Sequence, residues 1–440
     1  MANLTAPGAQ PDQKKTLRTQ LSIIMLAAFA IRLVVVCFTY RGLPDAEKFY
    51  EQFGWEVGWV ARALASGRGY SSPFYPWSGP TALVAPLYTY LLAAVFRIFG
   101  IYTLTSGFII LSINSLLSSL TCIPVYFSAK YSLGARGAKY AAWAWAFYPF
   151  AIYFSAGRVW DYALTGLLFT TCFCIAQRIH GAASPIAWLG FGALYGLTAL
   201  SNPAVASVLP FLLLLALWKV RRAGRTWLLK GALTALGVFL VVAPWTVRNY
   251  RVLGIVCPIR DNYWHNFYAG NFGDTSDPMP PQKHPASNPV EMQKYLSMGE
   301  PAYLAEKHTL AVAYLTQHPL FFVQLSLRRA LFYWSGFWSF DADYLRREPT
   351  ELPNMFYCVC ITLLMLRGAW RLWRINRAAA LPYLILIGIF PLAYYATHPL
   401  MDYRQPIEPA IVVLAVSGAI PWRRLKTGSG EPWIGAERTP

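Results

Sequence analysis

Two acids stand where proton chemistry is plausible. Glu56 lies in GWEVGWVARALASGRGYSSPF (54–74), where helical spacing puts it on one face with Trp59, Val60 and Ala63. A carboxylate at a membrane edge beside Trp55 and Trp59 is partly desolvated, which raises its basicity and suits it to general-base work. The ordinary alternative is a solvated charge on an interfacial helix. Asp45, Glu47 and Glu51 come just before it and read as a solvated lead-in. Asp161, in GRVWDYALTGLLF, sits at the mouth of an apolar run with Arg158 three residues earlier. An Arg–Asp pair tying a turn is one reading; a functional acid at a span terminus is the other. Two carboxylates entering one cavity from different helices can divide base and metal- or substrate-binding roles.

The cations and polar groups that could meet an anion form a second set. Arg248 and Asn249 follow a span end, and His398, Tyr403 and Arg404 lie in THPLMDYRQPIEP. An arginine fork matches phosphate oxygens, and snorkelling to lipid headgroups is the alternative. Arg32, inside the first apolar run, is expected to snorkel or to pair within the bundle. The six His do not fall at metal-ligand spacing, and there is no Walker, GxSxG, HExxH or dinucleotide-binding glycine pattern. No metal ligand set and no nucleotide cofactor is therefore assigned, although two converging carboxylates are compatible with a divalent metal.

The elements that must position these residues are membrane helices. Of 440 residues, 56% are hydrophobic and only 13% charged, and the mean hydropathy is +0.37. Soluble domains carry about a quarter charged residues. The apolar residues bunch into about ten runs, near 21–39, 106–128, 139–156, 161–177, 186–200, 203–219, 231–247, 354–373, 379–396 and 407–421. An all-α polytopic membrane protein with two large external loops containing interfacial helices is the expected fold. Six of the seven cysteines lie inside apolar runs, so no disulfide framework is expected. The N-terminal region lacks a small-residue cleavage site and reads as a retained first helix.

Charge placement orients the chain. With 85–100 as an interfacial helix and the N-terminus in the cytoplasm, Lys14, Lys15, Arg18, Lys130, Arg136, Lys139, Arg178, Arg221, Arg222, Arg225, Lys230, Arg367, Arg371, Arg374, Arg377, Arg423, Arg424 and Lys426 all fall in inner loops. Of the 20 Asp and Glu, only Asp12, Glu431 and Glu437 then lie inside. The net charge of +18 is thus a topology signal, and no nucleic-acid partner is expected. The resulting organisation is a cytoplasmic tail (1–20), a transmembrane module (21–247) containing an external loop (40–105), a second external loop (248–353), C-terminal membrane helices (354–421) and a cytoplasmic tail (422–440).

The pattern resembles the GT-C integral-membrane glycosyltransferases, the superfamily of protein O-mannosyltransferases and aminoarabinose lipid A transferases. The likeness runs over most of 20–420: an acid followed by ARALASGRGY, a Pro-containing turn and APLYTYLLAAVFRIFG; then AFYPFAIYFSAGRVWDYAL; then PWTVRNYRVLG and YRQPIEP. The resemblance implies an inverting transfer from a polyprenyl-phosphate-linked sugar to an acceptor (lipid, glycan or protein) on the non-cytoplasmic side, in what would be a bacterial inner membrane. By position it puts the base on Glu56, with Asp161 as second acidic site. Phosphate binding falls to Arg404, Arg248, Arg158, Tyr403, His398 and Asn249. The first-loop acid is more often Asp in this family and its register is shifted here, so Asp45, Glu47 and Glu51 stay as substitutes. A transporter or flippase of lipid-linked sugars is the competing reading. It would place polar groups at mid-membrane, whereas these acids gather at one face. A structural subunit of an envelope-assembly complex is a third reading, in which the carboxylates would be dispensable.

Overall fold

A computed structural model describes residues 11–41, 53–74, 77–179, 183–222, 226–273, 280–338, 340, 342–347, 351–398 and 400–421. Asp45, Glu47 and Glu51 lie outside the described residues. The first half comprises α1 (Pro11–Arg41), α2 (Glu56–Ala65), α3 (Pro86–Phe99), α4 (Leu104–Leu120), α5 (Cys122–Ala146), α6 (Pro149–Ala156), α7 (Tyr162–Arg178), α8 (Pro185–Ser201), α9 (Leu209–Arg222) and α10 (Trp227–Leu253). The long segment between α10 and the C-terminal helices carries α11 (Tyr263–Asn271), α12 (Pro289–Met298), α13 (Glu300–Gln317), α14 (Pro319–Ser335) and α15 (Ala342–Arg347). The chain closes with α16 (Glu351–Ile375), α17 (Arg377–Ile389), α18 (Leu392–Ala396) and α19 (Glu408–Ala419). Among the described residues the one β contact is an isolated bridge between Ser71 and Pro80.

Six helical stretches are long and apolar enough to cross a membrane: 15–39, 104–146, 203–221, 227–253, 351–375 and 377–396. A seventh arises only if α13 and α14, bent by 104°, count as one broken span. The expected ten apolar runs are all helical, but that number of crossings is not established. Proline and glycine interrupt several runs, so that α7 and α8 have 17 residues each and α19 has 12. Helix α3 has 14 residues, reaching only about 20 Å against a hydrocarbon core of about 30 Å. Its buried face lies on α2, as an interfacial helix requires.

A large apolar core unites α1, α5, α7, α9, α16, α17 and α19, and a second one joins α2, α3 and α4 to the 156–160 turn. Small residues let helices touch backbone to backbone. A Cβ on Gly368 of α16 would lie 1.8 Å from the Leu414 carbonyl oxygen of α19, and one on Gly418 would lie 2.1 Å from that of Leu364. Arg32 pairs inside the bundle. Its Nη1 donates to the Ala28 and Ala146 carbonyls at 2.9 and 2.8 Å, and its Nε to Ser118 at 3.1 Å. The Ala146 carbonyl ends α5, where the helix dipole is negative, so the buried cation needs no acid beside it.

Candidate active site

Glu56 occupies the first turn of α2, just after a backbone kink. Gly54 has φ +89°, and a Cβ there would lie 2.4 Å from the Val159 carbonyl oxygen. Only glycine allows both the left-handed turn and this approach. The start of α2 is thereby pressed against the turn that ends at Asp161, and Phe53, Val57 and Val60 pack with Ala156 and Val159. The two acids singled out in the sequence thus sit on adjoining elements.

Asp161 is the N-cap residue of α7. It is 7% exposed, and accepts hydrogen bonds from Thr165 at 2.7 Å and Asn202 at 3.1 Å. Its ion-pair partner is not Arg158: that guanidinium is exposed and donates to the Tyr153 hydroxyl at 3.0 Å. The charge acting on Asp161 comes from Arg260, in the loop between α10 and α11. Arg260 also acts on Tyr394 and Tyr403. It is half-buried and makes no hydrogen bond or ion pair of its own among the described residues.

Tyr403 and His398 close the site from the C-terminal side. The His398 Nε2 and Tyr403 hydroxyl are 2.9 Å apart, and the Glu56 charge acts on Tyr403. Asp402 accepts a short hydrogen bond from Tyr162 at the start of α7. Burial, with the Arg329 charge second, pushes His398 down to about 4, so it is neutral at physiological pH. His265 of α11 is buried, and neither ring nitrogen finds a partner among the described residues. Its ring centroid is 5.1 Å from that of His284. His284 in turn places Nε2 3.1 Å from Glu56 Oε1. Three of the six histidines, scattered in sequence, therefore meet beside the acids. Among the described residues no three His, Cys, Asp or Glu side chains form a metal-ligand set.

Three expected phosphate ligands have other partners. Arg404 is fully buried, its Nε donating to Glu408, with Nη1 near the Tyr333 and Trp334 carbonyls at 3.5 and 3.4 Å. Glu408 also accepts from the Tyr148 hydroxyl at 2.5 Å. Arg404 is thus the counter-ion of a buried acid. Arg248 donates to the carbonyls of Thr81 at 2.6 Å and Tyr70 at 2.5 Å, clamping the 70–81 turn to α10. Asn249 is buried and donates to the Cys257 carbonyl at 2.9 Å, closing the turn after α10.

A buried acid pair holds the segment after α10 onto the turn before α3. Glu300, at the start of α13, accepts from Thr81 at 2.5 Å, from the Ala82 amide at 2.6 Å and from Tyr295 at 2.8 Å. Asp261 lies against it, and its oxygens find no other donor among the described residues. Burial first, and then the Glu300 charge, push the Asp261 carboxyl up to about 8. Burial beside Glu300 thus favours the protonated form of Asp261.

Residues 83–246 match the family model described as dolichyl-phosphate-mannose-protein mannosyltransferase. No curated protein matches the sequence. Among solved structures, the chain is similar to the oligosaccharyltransferase AglB from Archaeoglobus fulgidus in complex with an inhibitory peptide and a dolichol-phosphate. The TM-score is 0.53 at 16% identity, covering 93% of this chain and 50% of that one. ArnT from Cupriavidus metallidurans bound to undecaprenyl phosphate aligns with a TM-score of 0.40 at 13% identity, over 90% of this chain and 76% of that one. The fold over 93% of this chain follows that of AglB. The chain spans about half the length of AglB.

Proposed function

We propose that the chain is a GT-C glycosyltransferase that moves a sugar from a polyprenyl-phosphate-linked donor to an acceptor on the non-cytoplasmic face, with inversion. The observation that carries this reading is that the start of α2, with Glu56, packs against the turn that ends at Asp161, on which the Arg260 charge acts, in a chain whose 83–246 segment matches a mannosyltransferase family. Glu56 takes the acceptor proton, and the acceptor oxygen attacks the anomeric carbon from the side opposite the phosphate. The phosphate leaves with the bonding electrons, and Arg260, the guanidinium still unengaged, receives the negative charge. Asp161, held by Thr165 and Asn202, orients Arg260 and the sugar hydroxyls. Membrane lipid surrounds the donor's tail, so such chemistry belongs in a bilayer protein.

The test is Glu56→Gln, which keeps the amide-sized shape and removes the basic lone pair. Loss of a general base costs roughly 10²–10⁴ in rate. Turnover should fall by that much while binding of undecaprenyl phosphate stays close to wild type. Near-normal transfer by the purified variant would overturn the assignment of the base.

A further inference from the structure

We propose that His284 is a positioning residue for the Glu56 carboxylate, reaching in from the second external segment to donate one hydrogen bond; the proposal rests on Glu56 being the base. His284 Nε2 lies 3.1 Å from Glu56 Oε1. Its other ring nitrogen, Nδ1, accepts the backbone N–H of Ala286 at 3.2 Å. In a neutral imidazole one nitrogen donates and the other accepts. An acceptor at Nδ1 assigns the proton to Nε2, where it faces the carboxylate.

The ring is fixed from several sides. Phe74 meets it edge-on, with centroids 5.5 Å apart, and His265 stands 5.1 Å away at 72°. The turn carrying it is tied to itself: the His284 carbonyl accepts from the Ser287 and Asn288 amides at 3.0 and 2.9 Å. The turn is also tied to α11, through the Lys283 ammonium on the Ala269 carbonyl at 3.2 Å. A hydrogen bond delivered from so constrained a donor fixes Oε1 and leaves Oε2 to receive the acceptor proton. It also orders the carboxylate without supplying a second positive charge that would weaken it as a base. The second external segment thus completes the first loop's chemistry.

The experiment compares His284→Ala, His284→Gln and Glu56→Gln in the full-length protein. The assay follows transfer from polyprenyl-phosphoryl-[¹⁴C]mannose into water and into a total membrane glycan extract. His284→Ala should lower kcat about 10- to 100-fold, the worth of one hydrogen bond to a charged group, with KM for the donor unchanged. Gln, which keeps an N–H donor, should recover part of the loss. The two side chains are 18% and 16% exposed, so the vacated space is open to small solutes. Added imidazole should restore activity to His284→Ala, whereas 1-methylimidazole, which has no N–H, should not. A loop-anchoring histidine would show neither the recovery by Gln nor this difference between the two solutes. Wild-type kcat in His284→Ala with Glu56→Gln inactive would overturn the proposal and leave the base in place; wild-type transfer in Glu56→Gln would overturn the base itself. A second arm needs no turnover: in a Glu56→Cys/His284→Cys protein, a short bifunctional methanethiosulfonate reagent, which spans more than a disulfide's Cα separation of about 7 Å, should give a mapped 56–284 cross-link. Its absence would also refute the contact.

Discussion

At the residue scale, the two arginines that differ most are Arg260 and Arg404. The Arg260 charge acts on Asp161 and Tyr403, and its side chain makes no hydrogen bond among the described residues. Arg260→Ala should weaken binding of undecaprenyl phosphate about 10- to 100-fold, and Arg260→Lys should recover only part, because a point charge does not replace a planar fork. Isothermal titration in detergent micelles checks this; equal affinity in all three proteins would remove Arg260 from the site. Arg404→Ala should act differently, leaving Glu408 buried without its cation at a cost of about 3–5 kcal/mol. Its signature is a lower melting temperature with the apo protein, rather than a selective loss of lipid binding. The reason the sequence singled out one arginine and not the other is physical. Arg404 stands in a conspicuous polar motif next to a span, but a helical offset of four from Glu408 draws it inward. Arg260 lies in PIRDNYWHNF with no local spacing signal, and its partner Asp161 is about a hundred residues away. His284 escaped notice for the same reason, since a contact across two loops leaves no periodic trace.

At the element scale, the 70–82 segment is held from both sides: by Arg248 of α10 at Tyr70 and Thr81, and by Glu300 of α13 at Thr81 and Ala82. The Asp261 carboxyl beside Glu300 makes the second attachment pH-dependent. The Asp261 carboxyl has its folded value raised to about 8 from an ordinary value of about 3.9. Its contribution to stability is therefore complete at acid pH and is lost as pH rises through about 8, at up to about 1.4 kcal/mol per pH unit. Between pH 6 and 9 the wild-type melting temperature should fall, with protease cutting near 81–84 increasing. Asp261→Asn, which cannot ionise, should flatten that dependence; an unchanged slope would show that another group governs it. The helix contacts give a second expectation. Gly368→Leu must push α16 off α19, because its first side-chain carbon already overlaps the Leu414 carbonyl, and the protein should fail to purify as a monodisperse species. Hydropathy made the existence of these helices plain. It could not supply their lengths, since an apolar run reads the same whether a proline, a glycine or a tertiary contact ends the helix inside it.

At the scale of the whole molecule, the orientation is a matter for labelling. With both long segments outside, single cysteines at Arg68 and Ala286 should react with an impermeant maleimide in intact cells, and one at Arg136 only after lysis. Reaction in the opposite pattern would invert the topology. The proposed site is assembled from distant stretches of chain: Glu56 near the beginning, Asp161 in the first half, Arg260 and His284 between α10 and α16, and His398 and Tyr403 just before the last helix. A ribosome makes these pieces in that order. When α2 and α7 have been made, neither the guanidinium nor the histidines placed beside their acids have been synthesised, and Tyr403 emerges only with the last tenth of the chain. A stalled or truncated product would carry Glu56 without its partners. On the proposed function, the membrane would thereby be spared half-made copies acting on a scarce lipid carrier, because activity could begin only once translation is nearly complete.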